Sequence, residues 1–170
     1  MNRVNIFHII SFFIFLFYQV LILQNVVLFN TAFCFLYVLY LLLLPVETNP
    51  LLLMGIGFAM GFIVDLFYES IGLHAFACVM LMYVRNYWLN QITPQGGYDS
   101  GSVPSMALST VQWFVIYIAP MIFLHHALLF FIEAGGFGMF WYTLWKVFTS
   151  TLFTTLVILI AQFLFPSRRR

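Results

Sequence analysis

An all-α polytopic membrane bundle of about six transmembrane helices is the fold class this sequence predicts, and three observations lead to it. Charged residues make up 6% of the chain against 64% hydrophobic and 21% aromatic, whereas a soluble domain carries about 25% charge. The apolar residues gather into long runs: from Ile6 to Leu23 the only polar interruptions are His8, Ser11, Tyr18 and Gln19. Such a run meets the need for roughly 20 apolar residues per spanning helix. Polar turns and helix breakers separate the runs, so one integral membrane domain over residues 1–170 is expected, with no length left for a soluble catalytic domain.

Each element follows from its own stretch. Span one is read as Ile6 to Leu23, with Gln24-Asn25 opening a turn. Arg3 ahead of this run resembles the start of a signal peptide, but the run is long and lacks an A-x-A-like site, so an uncleaved first span is expected. Span two is read as Val26 to Leu44, its start made ragged by Asn30-Thr31. The segment Pro45 to Pro50 ends it, because each proline disfavours helix in the residue before it. Span three covers Leu51 to Phe67 and a polar hairpin Tyr68 to His74 follows; span four runs from Leu73 to Trp88. The longest loop is Asn90 to Ser105, rich in Gly, Pro, Ser and Gln. Span five is read as Met106 to Ile132, with a kink expected at Pro120. Glu133 to Gly138 turns the chain into span six, Phe140 to Phe165.

Basic residues set the expected orientation. With six spans, Arg3, Arg85 and Arg168-Arg169-Arg170 share a side with both termini, and only Lys146 lies opposite. Five against one places both termini in the cytoplasm by the positive-inside rule. A net charge of +1 implies no attraction to nucleic acid. Cys34 and Cys78 lie within apolar runs, where a thiol behaves as a small hydrophobe and no disulfide is expected.

Span three holds the most informative local pattern. Gly57 and Gly61 are four apart, a small-xxx-small spacing that lets a neighbouring helix approach. Asp65 lies four further on, and the three positions spread over only about 80° of the helix face. An ionisable residue in a span is costly and seldom faces lipid. Three readings stay open for Asp65: a helix-helix lock on a cationic or hydroxyl partner, a carboxylate solvated at the interface, or a proton or substrate site. Asp65, Glu69 and His74 fall at one end of spans three and four; His125, His126, Glu133 and Lys146 fall near the same end of spans five and six. His125 and His126 point about 100° apart on a helix and do not readily share an ion. His126 and Glu133, seven apart, lie on one face, which suits a hydrogen bond as well as coordination. No metal-binding spacing, nucleophile elbow or phosphate-cradling loop is present, so no metal, no cofactor and no catalysis are expected, and a structural polar network is the favoured reading.

The stretch GFAMGFIVDLFYESIGLHA, Gly57 to Ala75, resembles the middle of the rod shape-determining protein MreD family, whose G-x-x-x-D-x(6)-G-x-H-A-like core falls here on Gly61, Asp65, Gly72, His74 and Ala75. The run Phe123 to Glu133 is similar to that family's fifth-span region. Length, span count and the arginine-ended tail agree over nearly the whole chain. The resemblance implies a non-enzymatic, multi-pass subunit of the bacterial cytoplasmic membrane, part of the cell-elongation machinery that scaffolds peptidoglycan synthesis. It would work beside an MreC-like bitopic protein, the elongation synthase and transpeptidase, and indirectly the actin-like MreB. Gly57, Gly61, Asp65, Glu69, Gly72, His74, His125, His126 and Glu133 are then the candidate packing or partner-contact residues. A second class is the substrate-binding membrane subunit of an energy-coupling-factor vitamin transporter, similar in size and span number. That class often docks its coupling subunit through small residues spaced A-x-x-x-A on the first span, whereas span one here offers Ser11 alone.

Overall fold

The structure, a computed structural model, describes residues 3–99, 101–106 and 110–165. The Arg168-Arg169-Arg170 run lies outside the described residues. Within them the regular elements are helices and one small hairpin: α1 (Arg3–Leu21), β1 (Val27–Leu28), β2 (Ala32–Phe33), α2 (Tyr37–Leu42), α3 (Pro50–Tyr68), α4 (Leu73–Gln91), α5 (Val111–Glu133) and α6 (Phe140–Leu164). Four stretches are long and apolar enough to cross a membrane: Ile6–Asn25, Pro50–Tyr68, Val111–Glu133 and Phe140–Leu164. The helix α4 is as long as α3 but carries Arg85, Asn86, Asn90 and Gln91 in its second half.

Local chemistry sets the helix starts. Asn49 Oδ1 accepts from the Leu51 N–H at 2.8 Å, with Pro50 at the first helical position, where its missing N–H costs nothing. Thr110 Oγ1 accepts from the Trp113 N–H at 3.2 Å to cap α5, which continues through Pro120. In sequence order α3, α4, α5 and α6 each pack on the next.

Residues 26–44 correct the reading of a second spanning helix. A 3-10 turn (Leu23–Asn25) leads into the β1–β2 hairpin, which reverses at Phe29 and Asn30, both at positive φ. Cys34 and Phe35 then carry no regular structure, Leu36 turns, and α2 follows as a helix of only 6 residues. Every residue from Cys34 to Leu42 is buried, so this segment is a core element without a lipid-facing side. Near one end its neighbours are Ser150 and Thr154 of α6; beyond α2 they are Arg85 of α4 and Tyr117 of α5. It therefore threads the bundle interior from the end that holds His74 to the end that holds Arg85.

Non-helical backbone at this depth persists only where protein groups satisfy it. Ser150 Oγ accepts from the Phe33 N–H at 3.0 Å and Thr154 Oγ1 from the Phe35 N–H at 3.3 Å. Gln19 Oε1 of α1 accepts from the Tyr37 N–H at 3.4 Å, while its Nε2 donates to Cys34 O at 3.0 Å. The serine and threonines of α6 thus act as a surrogate strand edge.

Candidate functional site

The α3–α4 junction is built around Asp65. α3 ends at Tyr68 with Glu69 in the left-handed conformation, φ 53°, and Gly72, φ 75°, precedes α4. Gly72 has no side chain with which to cap α4, and Asp65 supplies the cap from the preceding helix. Its Oδ1 accepts from the His74 N–H at 3.0 Å and its Oδ2 from the Ala75 N–H at 2.9 Å. These are donors that a helix start leaves unpaired, and a carboxylate there also meets the positive end of the helix dipole. The Ser70 hydroxyl donates to Oδ1 at 2.6 Å, and His74 Nδ1 lies 3.0 Å from the same oxygen. The pair is buried, at 5% and 3% side-chain exposure for His74 and Asp65.

Close approach of the two helices makes this cap possible. A Cβ on Gly61 would sit 2.5 Å from His74 O and 2.6 Å from Ala75 Cα and N. At Gly57 it would sit 3.0 Å from Met82 Cγ and 3.1 Å from Cys78 O. Both glycines therefore face α4 of the same chain. A serine, a histidine and an aspartate meet here, yet the arrangement is no acyl-transfer triad. Ser70 Oγ and His74 Nδ1 converge on one carboxylate oxygen, whereas a triad needs the second ring nitrogen on the hydroxyl.

A second cluster lies beside it. Tyr37 Oη is 2.9 Å from His125 Nε2, and Cys78 Sγ is 3.8 Å from both. His126 Nδ1 faces Ile122 O at 2.6 Å, so that nitrogen carries the proton, and its Nε2 lies 3.3 Å from Thr154 Oγ1. The Phe35 ring packs against His74, His125 and His126 at centroid distances of 5.4, 6.0 and 5.3 Å. Gln19 Nε2 donates to Tyr68 Oη at 2.8 Å and closes the network against α1. His74 Nε2 and His125 Nδ1 are buried with no hydrogen-bond partner among the described residues.

The expected pairing of His126 with Glu133 does not occur. Glu133 is exposed and binds Lys146 Nζ at 2.7 Å, and that ammonium also lies over the Phe130 and Phe33 rings at 4.2 and 4.7 Å. His126 instead points inward to α6. Glu69 is exposed and joins neither cluster. No group of three or more His, Cys, Asp or Glu side chains is placed to hold a metal among the described residues.

Sequence reasoning counted Arg85 only as a topology marker. Its side chain is fully buried. Nε donates to Tyr117 Oη at 2.9 Å, and the terminal nitrogens reach Leu42 O, Leu44 O and Asn86 Oδ1. Tyr117 Oη also donates to Leu42 O at 2.8 Å. The guanidinium thus covers the carbonyls at the C-terminus of α2, where a cation is favoured. An arginine inside an apolar run was the available signal. Its partners were not readable, because they lie 41 to 43 residues away on the irregular segment and 32 away on α5.

Compared with protein-family models, with curated proteins and with solved structures, the chain matches none.

Proposed function

We propose that this chain is a non-enzymatic, multi-pass subunit of the bacterial cell-elongation machinery in the cytoplasmic membrane, a scaffold for peptidoglycan synthesis and cell shape. The α3–α4 junction carries the reading. Gly61, Asp65, Gly72, His74 and Ala75, the positions that resemble the core of the rod shape-determining protein MreD family, all serve one local structure. Gly61 lets the helices meet, Gly72 reverses the chain, and Asp65 caps α4 through the His74 and Ala75 N–H groups. A motif that a single rigid hairpin consumes fits a scaffold better than a reaction centre. The partners would be an MreC-like bitopic protein, the synthase and transpeptidase, and indirectly MreB. In lipid, apolar burial contributes little to helix association, so close packing and polar pairs must supply affinity. The hairpin tips supply apolar contacts beyond the helices, with Phe29 93% and Ile71 98% exposed.

In the same proposal the chain crosses six times: five long helices and the buried segment 34–44. Both termini are cytoplasmic, which keeps Arg3, Arg85 and the terminal arginines on one side and Lys146 on the other. Reporter fusions at Arg170 and within Gln95 to Ser102 should both read cytoplasmic. A periplasmic signal at either point overturns this topology.

The functional test is depletion in a rod-shaped host. Cells should widen and lose recovery of the MreC-like partner with the synthase. Cells that keep their width but lose uptake of a vitamin would instead support the energy-coupling-factor transporter class.

A further inference from the structure

Residues of α1, α2 and α3 enclose a groove at the Arg85 end of the bundle, about 710 Å³ in volume and open to the side. That lies within the range of about 300–1,000 Å³ typical of small-molecule sites. Its wall on α3 includes Gly55 and Ala59 beside Leu52 and Ile56, and nothing lies within 4 Å of the position a Gly55 Cβ would take. The face bearing Gly57 and Gly61 is consumed by α4, so α3 presents a second pair of small residues to this groove. Phe12 and Phe13 of α1 line the opposite wall.

What makes the groove more than a gap is its polar content. Tyr40 of α2 is 6% exposed and lines the cavity, yet its hydroxyl has no hydrogen-bond partner among the described residues. Among the described residues the rings of Phe12 and Phe15 pack against its own ring. The hydroxyl is accessible rather than sealed in the core, and a donor beside a cavity that no protein group answers leaves a place for an acceptor. Thr48 and His8 line the same groove toward the Pro45–Pro50 loop; the Thr48 N–H is taken by Pro45 O at 3.3 Å, and neither side chain has a hydrogen-bond partner among the described residues. The groove is therefore mostly apolar, with Tyr40 near its middle and Thr48 and His8 toward the helix ends as its polar side chains. That is the polarity profile of one amphiphile lying along the bundle.

We propose that this groove binds a membrane glycerophospholipid, one acyl chain lying between α1 and α3 and the ester and phosphate oxygens accepting from Tyr40, Thr48 and His8. A bare helix of a partner protein would fill the apolar part but would leave these donors unanswered.

The test uses the full chain in vesicles of phosphatidylethanolamine and phosphatidylglycerol, with a trace of phosphatidylglycerol carrying a diazirine on one acyl chain. After irradiation the labelled peptides are mapped by mass spectrometry. Label should concentrate on residues 8–13 and 48–59. Gly55→Trp, which grows into open space, should abolish that label while Leu66→Trp, elsewhere on lipid-facing α3, leaves it in place. Tyr40→Phe should weaken retention of phospholipid through detergent washing by about two- to tenfold, the value of one hydrogen bond. The same substitution should not change labelling by a diazirine hydrocarbon that has no head group. If Gly55→Trp lowers protein yield, Ala59→Leu fills the same space from the next turn. Label spread evenly over exposed positions such as Leu66, Phe148 and Leu152 and indifferent to Gly55→Trp means ordinary surrounding lipid, and overturns the proposal. So does retention unchanged by Tyr40→Phe, or a groove that crosslinks to a protein helix in place of lipid.

Discussion

Asp65→Ala is expected to destabilise the protein by about 3–5 kcal/mol, because four donors converge on this buried carboxylate and each one left unpaired costs about 1–3 kcal/mol. The loss would be read as a lower midpoint of thermal unfolding in detergent and a smaller monodisperse fraction. The substitution strands the His74 and Ala75 N–H groups at the start of α4 and leaves the Ser70 hydroxyl and the His74 ring only each other, 3.1 Å apart. Asp65→Asn separates shape from charge. Its amide offers one oxygen where four donors now converge, and its NH2 would confront N–H groups, so it should fall nearer to alanine than to the parent. A parent-like midpoint for Asp65→Asn would show that the charge contributes little.

Gly61→Ala is the second large effect, and it is unusual for so small a change. The added methyl would sit 2.5 Å from His74 O and 2.6 Å from the Ala75 backbone, and backbone cannot rotate away as a side chain can. Overpacking of a close contact costs about 1–3 kcal/mol and sometimes more. Here it also pulls Asp65 from its cap, so the upper end is expected, and Gly61→Leu should abolish folded protein. Gly55→Ala on the same helix is the control. Nothing crowds it, and replacing glycine in a helix gains up to about 1 kcal/mol. Equal midpoints for the two alanine variants would mean that α3 and α4 do not meet as closely as described. Gly57→Ala should lie between them, because its nearest contact is the flexible Met82 side chain.

The Gly57-Gly61-Asp65 face was readable from spacing, since four-residue steps place side chains on one side of a helix wherever it packs. What that face packs against was not. Spacing left open whether it meets another helix of this chain, a partner or lipid, and the α4 backbone answers it. The pairing of His126 with Glu133 failed for a related reason. Seven-residue spacing aligns two positions on α5, but they lie two turns apart along the axis. Thr154 is within reach of His126 and Lys146 is within reach of Glu133. Tyr40 carried no signal at all, because an unpaired hydroxyl is defined by what surrounds it.

Composition and periodicity by themselves determined that this is an apolar helical protein, where its long helices lie, and where the breakers fall, because burial in lipid and the 3.6-residue repeat act on each stretch alone. Only the tertiary structure decided the fate of residues 26–44. The same apolar run could have been a lipid-facing helix that satisfies its own backbone. It became a small hairpin, an irregular buried stretch and a short helix because Gln19, Arg85, Ser150 and Thr154, from three other helices, supply hydrogen bonds that this backbone does not make for itself.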